Sequence, residues 1–175
     1  AQDVNRLRKT IGAGMMDCKK ALVEADGDFD KAVEILRKKG QKVSAKRADR
    51  EATEGAVFIN KNEAGNEATL IQLNCETDFV ARNDDFQALG TQITQVAGTE
   101  KPASIDELKS LPLNGTTIGE EIVNAIGKIG EKIEIGSYEL IAGDQVVVYI
   151  HPGARIGVAV AFDNTNGQDV EAVGK

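Results

Sequence analysis

Residues 54–75 have the sequence EGAVFINKNEAGNEATLIQLNC, and this stretch predicts a β-hairpin. The apolar residues at 56–59 form one short run. A second run alternates between two faces, and the residues on its first face are Thr69, Ile71, Leu73 and Cys75. Alternation with a period of two is typical of a strand that buries one face. Residues 62–66 supply Asn and Gly, which favour a turn between the two strands.

Upstream of this hairpin, the first 40 residues predict three short amphipathic helices. Their apolar residues recur every three or four positions and are Val4, Leu7 and Ile11; Cys18, Ala21, Leu22 and Ala25; and Phe29, Ala32, Val33 and Leu36. Residues 12–14 (GAG) separate the first two helices, and Asp28 can cap the third. Gly40 lies where a left-handed C-cap belongs. Three such helices can bury their apolar stripes against one another as a small bundle.

Downstream of the hairpin, helices and then strands are predicted. A helix is expected from about Asn83, and the motifs at 104–107 and 117–120 have the S/T-x-x-E pattern of a capping box. Strands are expected at roughly 132–141, 146–150 and 155–162. Mixed helices and strands in this order predict an α+β chain.

An internal repeat divides the second part of the chain. EGAVFI at 54–59 corresponds to DQVVVY at 144–149, and DFQALG at 85–90 returns as DVEAVG at 169–174. The second copy ends within its helix, so we expect a fragment of a longer protein. The predicted divisions are a helical module at 1–40, a charged linker or solvated helix at 41–53, a first core subdomain at 54–142 and a truncated second one at 143–175.

The charges along the chain argue against nucleic acid as a partner. Net charge is −7, but residues 1–50 hold 13 Lys and Arg against 8 Asp and Glu, whereas the rest holds 8 against 20. The acidic part would repel phosphates, and the chain has no Trp and only 4% aromatic residues for stacking on bases. A basic head on an acidic body predicts two surfaces that contact different partners or different parts of one partner, and nucleic acid stays open for the head alone.

We expect neither a membrane segment nor an export signal from this sequence. No apolar run approaches the ~20 residues that cross a bilayer. We therefore expect no membrane contact and a cytoplasmic protein, in which Cys18 and Cys75 are free thiols that are most simply explained as small buried residues.

Catalytic and cofactor motifs are weak, which predicts that the protein is not an enzyme and has no cofactor. The D-x-D-x-D motif at 26–30 begins like a calcium loop, but Lys31 and Arg37 occupy the positions that need Gly and Glu. The chain has no GxxxxGK[ST] motif, so direct nucleotide binding is not expected. His151 is the only histidine. A dyad of Cys75 and His151 stays open on composition alone.

Residues 74–82, NCETDFVAR, carry the sharpest local signal and allow two interpretations. In the first, Thr77 or Asp78 ends the strand and Phe79 folds back onto the core; spacing alone favours this one. In the second, Phe79 stands at a bend as an apolar anchor for a partner, flanked by the Asp78 carboxylate. We predict that Phe79 is at least partly exposed.

Adjacent methionines pose a similar choice. Met15 and Met16 follow each other at the start of a predicted helix, so only one of them can face the bundle core well. At least one is therefore expected on the surface, where a flexible thioether suits an adaptable protein contact.

Four segments of the chain resemble the elongation factor Ts family of translation. They are RLRKTIGAGMMDCKKAL at 6–22, NCETDFVARNDDF at 74–86, KIGEKI at 128–133 and HPGARIGV at 151–158. The resemblance runs in order across the whole chain. It implies an α+β fold with a ubiquitin-associated-like three-helix bundle, followed by a duplicated core of small antiparallel sheets with flanking helices.

The same resemblance implies a guanine-nucleotide exchange factor whose partner is GDP-bound elongation factor Tu, a GTPase. In that family, Arg8, Met15 and Met16 would grip the nucleotide-binding domain, and the loop with His151 would contact another domain. Four residues would disturb the magnesium site of the GTPase and so promote GDP release: Thr77, Asp78, Phe79 and Val80. The alternative is a docking fragment that binds the GTPase without efficient exchange.

Overall fold

The computed structural model describes residues 2–174. Helices α1 (Gln2–Ile11), α2 (Met15–Glu24) and α3 (Phe29–Arg47) come first. They are followed by β1 (Glu54–Lys61), β2 (Glu67–Cys75), α4 (Asp78–Ala81), α5 (Asp84–Glu100), α6 (Ile105–Ser110), β3 (Pro112–Leu113), β4 (Thr116–Thr117), α7 (Ile118–Ile129), β5 (Ile133–Ala142), β6 (Gln145–Ile150), β7 (Gly157–Phe162) and α8 (Glu171–Gly174). None of the helices within residues 2–174 is long and apolar enough to cross a membrane.

Helices α1, α2 and α3 enclose a small hydrophobic core of their own, as their apolar spacing predicts. All eleven residues of the predicted stripes belong to it or pack against it, and Leu7, Cys18 and Ala32 are fully enclosed. The Asp28 side chain accepts a hydrogen bond from the backbone N–H of Lys31 and caps α3, as predicted.

Helix α3 is longer than predicted, and the predicted C-cap at Gly40 is wrong. The helix continues to Arg47, so residues 41–47 of the expected linker are its last two turns. Gly40 lies in the helix interior, where its backbone packs against Gly127 of α7. A glycine at this position therefore serves close helix packing and not a left-handed turn.

The first sheet has the strand order β1-β2-β5, and both pairs are antiparallel. In the predicted hairpin, Phe58 lies opposite Ile71. Helices α5 and α7 cover one face of the sheet and build the main core with it, and the fully buried residues there include Ile71, Leu73, Phe86, Ile93 and Ile118. Small antiparallel sheets with flanking helices, as expected from the α+β prediction, are confirmed.

Of the two predicted capping boxes, only one is complete. Thr117 and Glu120 bond reciprocally at the start of α7. Ser104 accepts from the backbone N–H of Glu107 at the start of α6, but the Glu107 carboxylate accepts from the N–H of Ala103 instead of Ser104. Both helices nevertheless begin where the motifs predict.

The hairpin of β6 and β7 packs on the opposite face of the first sheet. Gly157 of β7 allows this approach, because a Cβ there would lie 2.5 Å from Cγ1 of Val57. Two antiparallel hairpins thus stack back to back, with α5 outside the first and the short helix α8 outside the second. The strand–strand–helix order of the predicted repeat is present in both halves.

Two glycines correct the repeat alignment by one residue. Gly90 and Gly174 end the repeated hexapeptides, and each lies where a Cβ would collide with a strand residue: Phe58 for Gly90 and Val147 for Gly174. Phe58 therefore corresponds to Val147, and not to Val148 as the 54–59 and 144–149 alignment predicts. A one-residue slip would turn the wrong face of the strand toward the helix.

Candidate partner-binding site

Residues 77–80 form the start of the short helix α4, directly after β2. The Thr77 hydroxyl caps the helix by accepting from the N–H of Val80 at 3.4 Å. Glu131, on the loop between α7 and β5, accepts from the Thr77 N–H at 3.0 Å and from its hydroxyl at 2.8 Å. Because two bonds to one carboxylate fix both the backbone and the side chain of Thr77, the position of α4 is well defined.

Phe79 lies on the outer side of α4 and is 82% exposed, so its predicted exposure is confirmed. Asp78 beside it forms an ion pair with Arg82 one turn later, at 2.9 Å, while Val80 is half-buried and packs against the main core. The interpretation that Phe79 folds back onto the core is wrong. The one-turn helix points Val80 and Ala81 inward, which leaves Phe79 on the opposite side.

Two glutamates that sequence reasoning did not single out hold this segment. Glu131 is the first. Glu76, the residue before Thr77, accepts from Arg47 of α3 at 3.2 Å with both oxygens and from the N–H of Lys132 at 2.7 Å. The Lys132 hydrogen bond and the nearby guanidinium of Arg47 lower the pKa of Glu76. Only the resemblance of KIGEKI pointed to the loop that carries Glu131.

The structure does not bring Cys75 and His151 together, so the dyad left open by composition is wrong. The Cys75 thiol is buried and donates to the carbonyl oxygen of Thr77 at 3.1 Å. Burial raises its pKa to about 11, which leaves the thiol protonated near neutral pH. His151 is exposed, and its Nδ1 lies 2.9 Å from the hydroxyl of Tyr149. Both cysteines are free and buried, as expected.

The loop with His151 joins β6 to β7 and is fastened to the first sheet. The carbonyl oxygen of Ala154 accepts from the N–H of Val57 at 2.7 Å, and Arg155 forms an ion pair with Glu54. Glu54 pairs with Cys75 in the sheet register, two residues before Thr77. The structure therefore places the His151 loop and the Thr77–Val80 segment at the same end of the sheet.

Arg8, Met15 and Met16 lie apart from these two segments, on the helical bundle. All three are exposed, and the two methionines are 53% and 62% exposed. The expectation that at least one methionine lies on the surface is confirmed; neither faces the core, because α2 begins at Met15 and the first residue that it buries fully is Cys18. Arg8 lines an open pocket with further basic residues: Lys9 and Lys128.

Val23 is a further exposed apolar residue that sequence reasoning missed. It follows Met16 by seven residues on α2, which places both side chains on the same helix face, and it is 71% exposed. The i, i+7 spacing between Met16 and Val23 could have identified this residue from the sequence. Exposed apolar side chains that share one helix face are typical of a protein contact.

Fold and surface together define an α+β protein whose candidate site is a set of exposed apolar side chains on the helical bundle and on the core. The family model described as elongation factor TS matches residues 76–175. The chain belongs to the elongation factor Ts family.

Curated relatives agree across the whole chain. Elongation factor Ts of Amoebophilus asiaticus (strain 5a2) and that of Cytophaga hutchinsonii are each 50% identical, over 175 and 176 residues, and both matches cover 100% of the chain. Elongation factor Ts of Rhodopirellula baltica is 49% identical over 171 residues, 98% of the chain. The chain spans 63%, 63% and 52% of these three relatives.

Proposed function

We propose that this chain is a guanine-nucleotide exchange factor of translation elongation that binds GDP-bound elongation factor Tu and promotes GDP release. It binds no nucleotide of its own and catalyses no bond chemistry, and it acts in the cytoplasm. Membership of the elongation factor Ts family supports the partner, and the exposed apolar residues support a protein contact.

The observation that carries the proposal is the geometry of Phe79. A large apolar side chain stands in solvent on a helix of four residues, and the residue that caps this helix is held by Glu131. Because hydrogen bonds at Thr77 hold the backbone of this helix before binding, less conformational entropy is lost when Phe79 enters a pocket of a partner. We assign Thr77, Asp78, Phe79 and Val80 to the disturbance of the partner's magnesium site.

The two groups of contacts have different tasks in this proposal. Residues 1–40 dock on the nucleotide-binding domain through Arg8, Met15 and Met16, and the loop with His151 contacts another domain of the GTPase. The core subdomains at 54–142 and 143–175 present the Phe79 segment and the His151 loop, and residues 41–53 connect them to the docking module.

Nucleotide release then follows from the energetics of binding. Mg²⁺ bridges the nucleotide phosphates to the GTPase, so a contact that displaces the ion weakens GDP binding. The factor stabilises the form of the GTPase that holds nucleotide poorly. Linkage requires that GDP weakens binding of the factor by the same ratio.

Stopped-flow release of a fluorescent GDP from elongation factor Tu, with and without the chain, tests the function. We expect the release rate to rise with the concentration of the chain and to reach a plateau. Binding without faster release would favour the docking-fragment alternative. An absence of binding would refute the partner.

A further inference from the structure

Helices α3 and α7 cross at two glycines, Gly40 and Gly127, and this crossing joins the helical bundle to the core. A Cβ built on Gly127 would lie 2.8 Å from the Cα of Gly40, closer than side chains approach a backbone. On the side of Gly127, the two helices therefore pack too closely for any side chain. Neither residue belongs to the surfaces proposed above.

Two further contacts brace the same joint. At the C-terminal end of α3, Arg47 bonds to Glu76, the residue before Thr77. On the bundle side, the stem of Lys128 passes over Gly12, 3.0 Å from where a Cβ would lie, and its ammonium pairs with Asp85 at 2.6 Å. Helix α3 thus connects α1 and α2, which carry Arg8 and the exposed methionines, to the segment that carries Phe79.

We propose that Gly127 is a positioning residue: it fixes the docking module relative to the Phe79 segment, so that both can engage one GTPase at the same time. The inference rests on the proposed function. Two contacts held at the correct separation reinforce each other, because the second then forms at a high effective concentration. Displacing one module removes that gain without altering any residue that touches the partner.

The two glycines provide a matched pair of variants. In Gly127→Ala the new methyl meets backbone, which cannot move aside, so α3 must retreat from α7. In Gly40→Ala the new methyl lies 3.6 Å from the carbonyl oxygen of Val123 and 3.9 Å from the Cα of Gly127, which is ordinary contact. Both changes replace helical Gly by Ala and gain the same intrinsic helix propensity.

The size of the displacement follows from the length of the helix. If Arg47 stays in place, Gly40 lies about 10 Å from that pivot and the start of α3 about 27 Å from it, at 1.5 Å per residue. A retreat of ~1 Å at the crossing therefore moves the bundle by about 2–3 Å. Gly40→Leu adds its side chain on α3 instead of α7 and should displace the bundle by a similar distance.

The experiment measures position and function on the same variants. Spin labels at Glu24→Cys and Glu139→Cys, both exposed, report the distance between bundle and core, while buried Cys18 and Cys75 stay unlabelled. For Gly127→Ala we expect the distance between the two labels to shift, or its distribution to broaden, by about 2–3 Å, as estimated above from the length of α3. The concentration for half-maximal GDP release should rise about tenfold or more with little change of the plateau.

Gly40→Ala should match the wild type in both measurements, and Gly40→Leu provides the second test if Gly127→Ala does not fold. If the distance between the two spin labels is unchanged in both Gly127→Ala and Gly40→Leu, the crossing of α3 and α7 does not set the position of the bundle, and the proposal is wrong. If the label distance changes but the concentration for half-maximal GDP release does not, the position of the bundle does not matter for binding of the GTPase, and the role proposed for Gly127 is wrong. If the wild type does not accelerate GDP release, the proposed function fails, and the distances alone decide whether Gly127 sets the position of the bundle.

Discussion

Phe79→Ala tests the division between docking and release most directly. In the free chain the side chain stands in solvent, so its removal leaves no cavity in the core. The free energy of unfolding should therefore change by less than about 0.5 kcal/mol, as for other surface substitutions. Any large effect on exchange must come from the complex with the GTPase.

The expected magnitude follows from the area that this ring can bury. A Phe side chain covers at least about 150 Å² when enclosed, and most of this area is available on Phe79. At about 25 cal/mol per Å² the burial is worth up to ~4 kcal/mol, consistent with ~2–4 kcal/mol for truncation of an anchor residue. Since ~1.4 kcal/mol is tenfold, GDP release should slow by roughly 30-fold to several-hundredfold.

The assay is the GDP release rate from elongation factor Tu as a function of factor concentration. We expect Phe79→Ala to lower the plateau much more than it shifts the midpoint, because its contact is favoured in the nucleotide-free state. Leu140→Ala is the control, an exposed apolar residue on β5 near the opposite end of the sheet. If Phe79→Ala reaches the wild-type plateau at higher concentration, Phe79 is an ordinary docking residue and the mechanism is wrong.

Three further predictions concern docking, acid stability and thiol reactivity. Arg8→Ala should raise the concentration for half-maximal GDP release but keep the plateau, and a lowered plateau would contradict its docking role. Glu76 has a lowered pKa in the folded chain, so its bonds to the backbone N–H of Lys132 and to Arg47 stabilise the fold above pH ~4.3 and are lost as pH falls through the folded value. Urea unfolding should show Glu76→Gln less stable than wild type at pH 7, with the difference shrinking below pH ~4; a constant difference would exclude this linkage. Cys18 and Cys75 should resist a maleimide at pH 7.5 until the chain unfolds, and rapid labelling of the folded chain would contradict their burial.

Much of the fold was predictable because its signals are local. The three amphipathic stripes, the alternation at 54–75 and the cap at Asp28 each depend on residues within a few positions of one another. Hydrophobic periodicity determines which face of such a segment is buried, whatever it packs against. The repeat of strand, strand and helix was also visible, because its hexapeptides preserve the same apolar spacing.

Long-range packing decided the features that were predicted wrongly from the sequence. Gly40 resembles a C-cap by its position, but it proved to be a packing site because Gly127, 87 residues later, lies against it. The same holds for the repeat register, which became clear only when Gly90 was found against Phe58 and Gly174 against Val147. Because glycine has no side chain, its place in the sequence does not show which part of the chain packs against it.

For the candidate site, the sequence by itself determined the unusual residues, and tertiary structure determined their presentation. NCETDFVAR and the paired methionines were evident as motifs, whereas the exposure of Phe79 was only one of two interpretations. In the structure Glu131, 54 positions after Thr77, holds the capping residue of α4 through two hydrogen bonds, and the one-turn helix that begins there turns Val80 and Ala81 inward and Phe79 outward. Local periodicity specifies which face of a segment is apolar, but the direction in which a side chain points at a bend depends on partners that only the folded chain brings within reach.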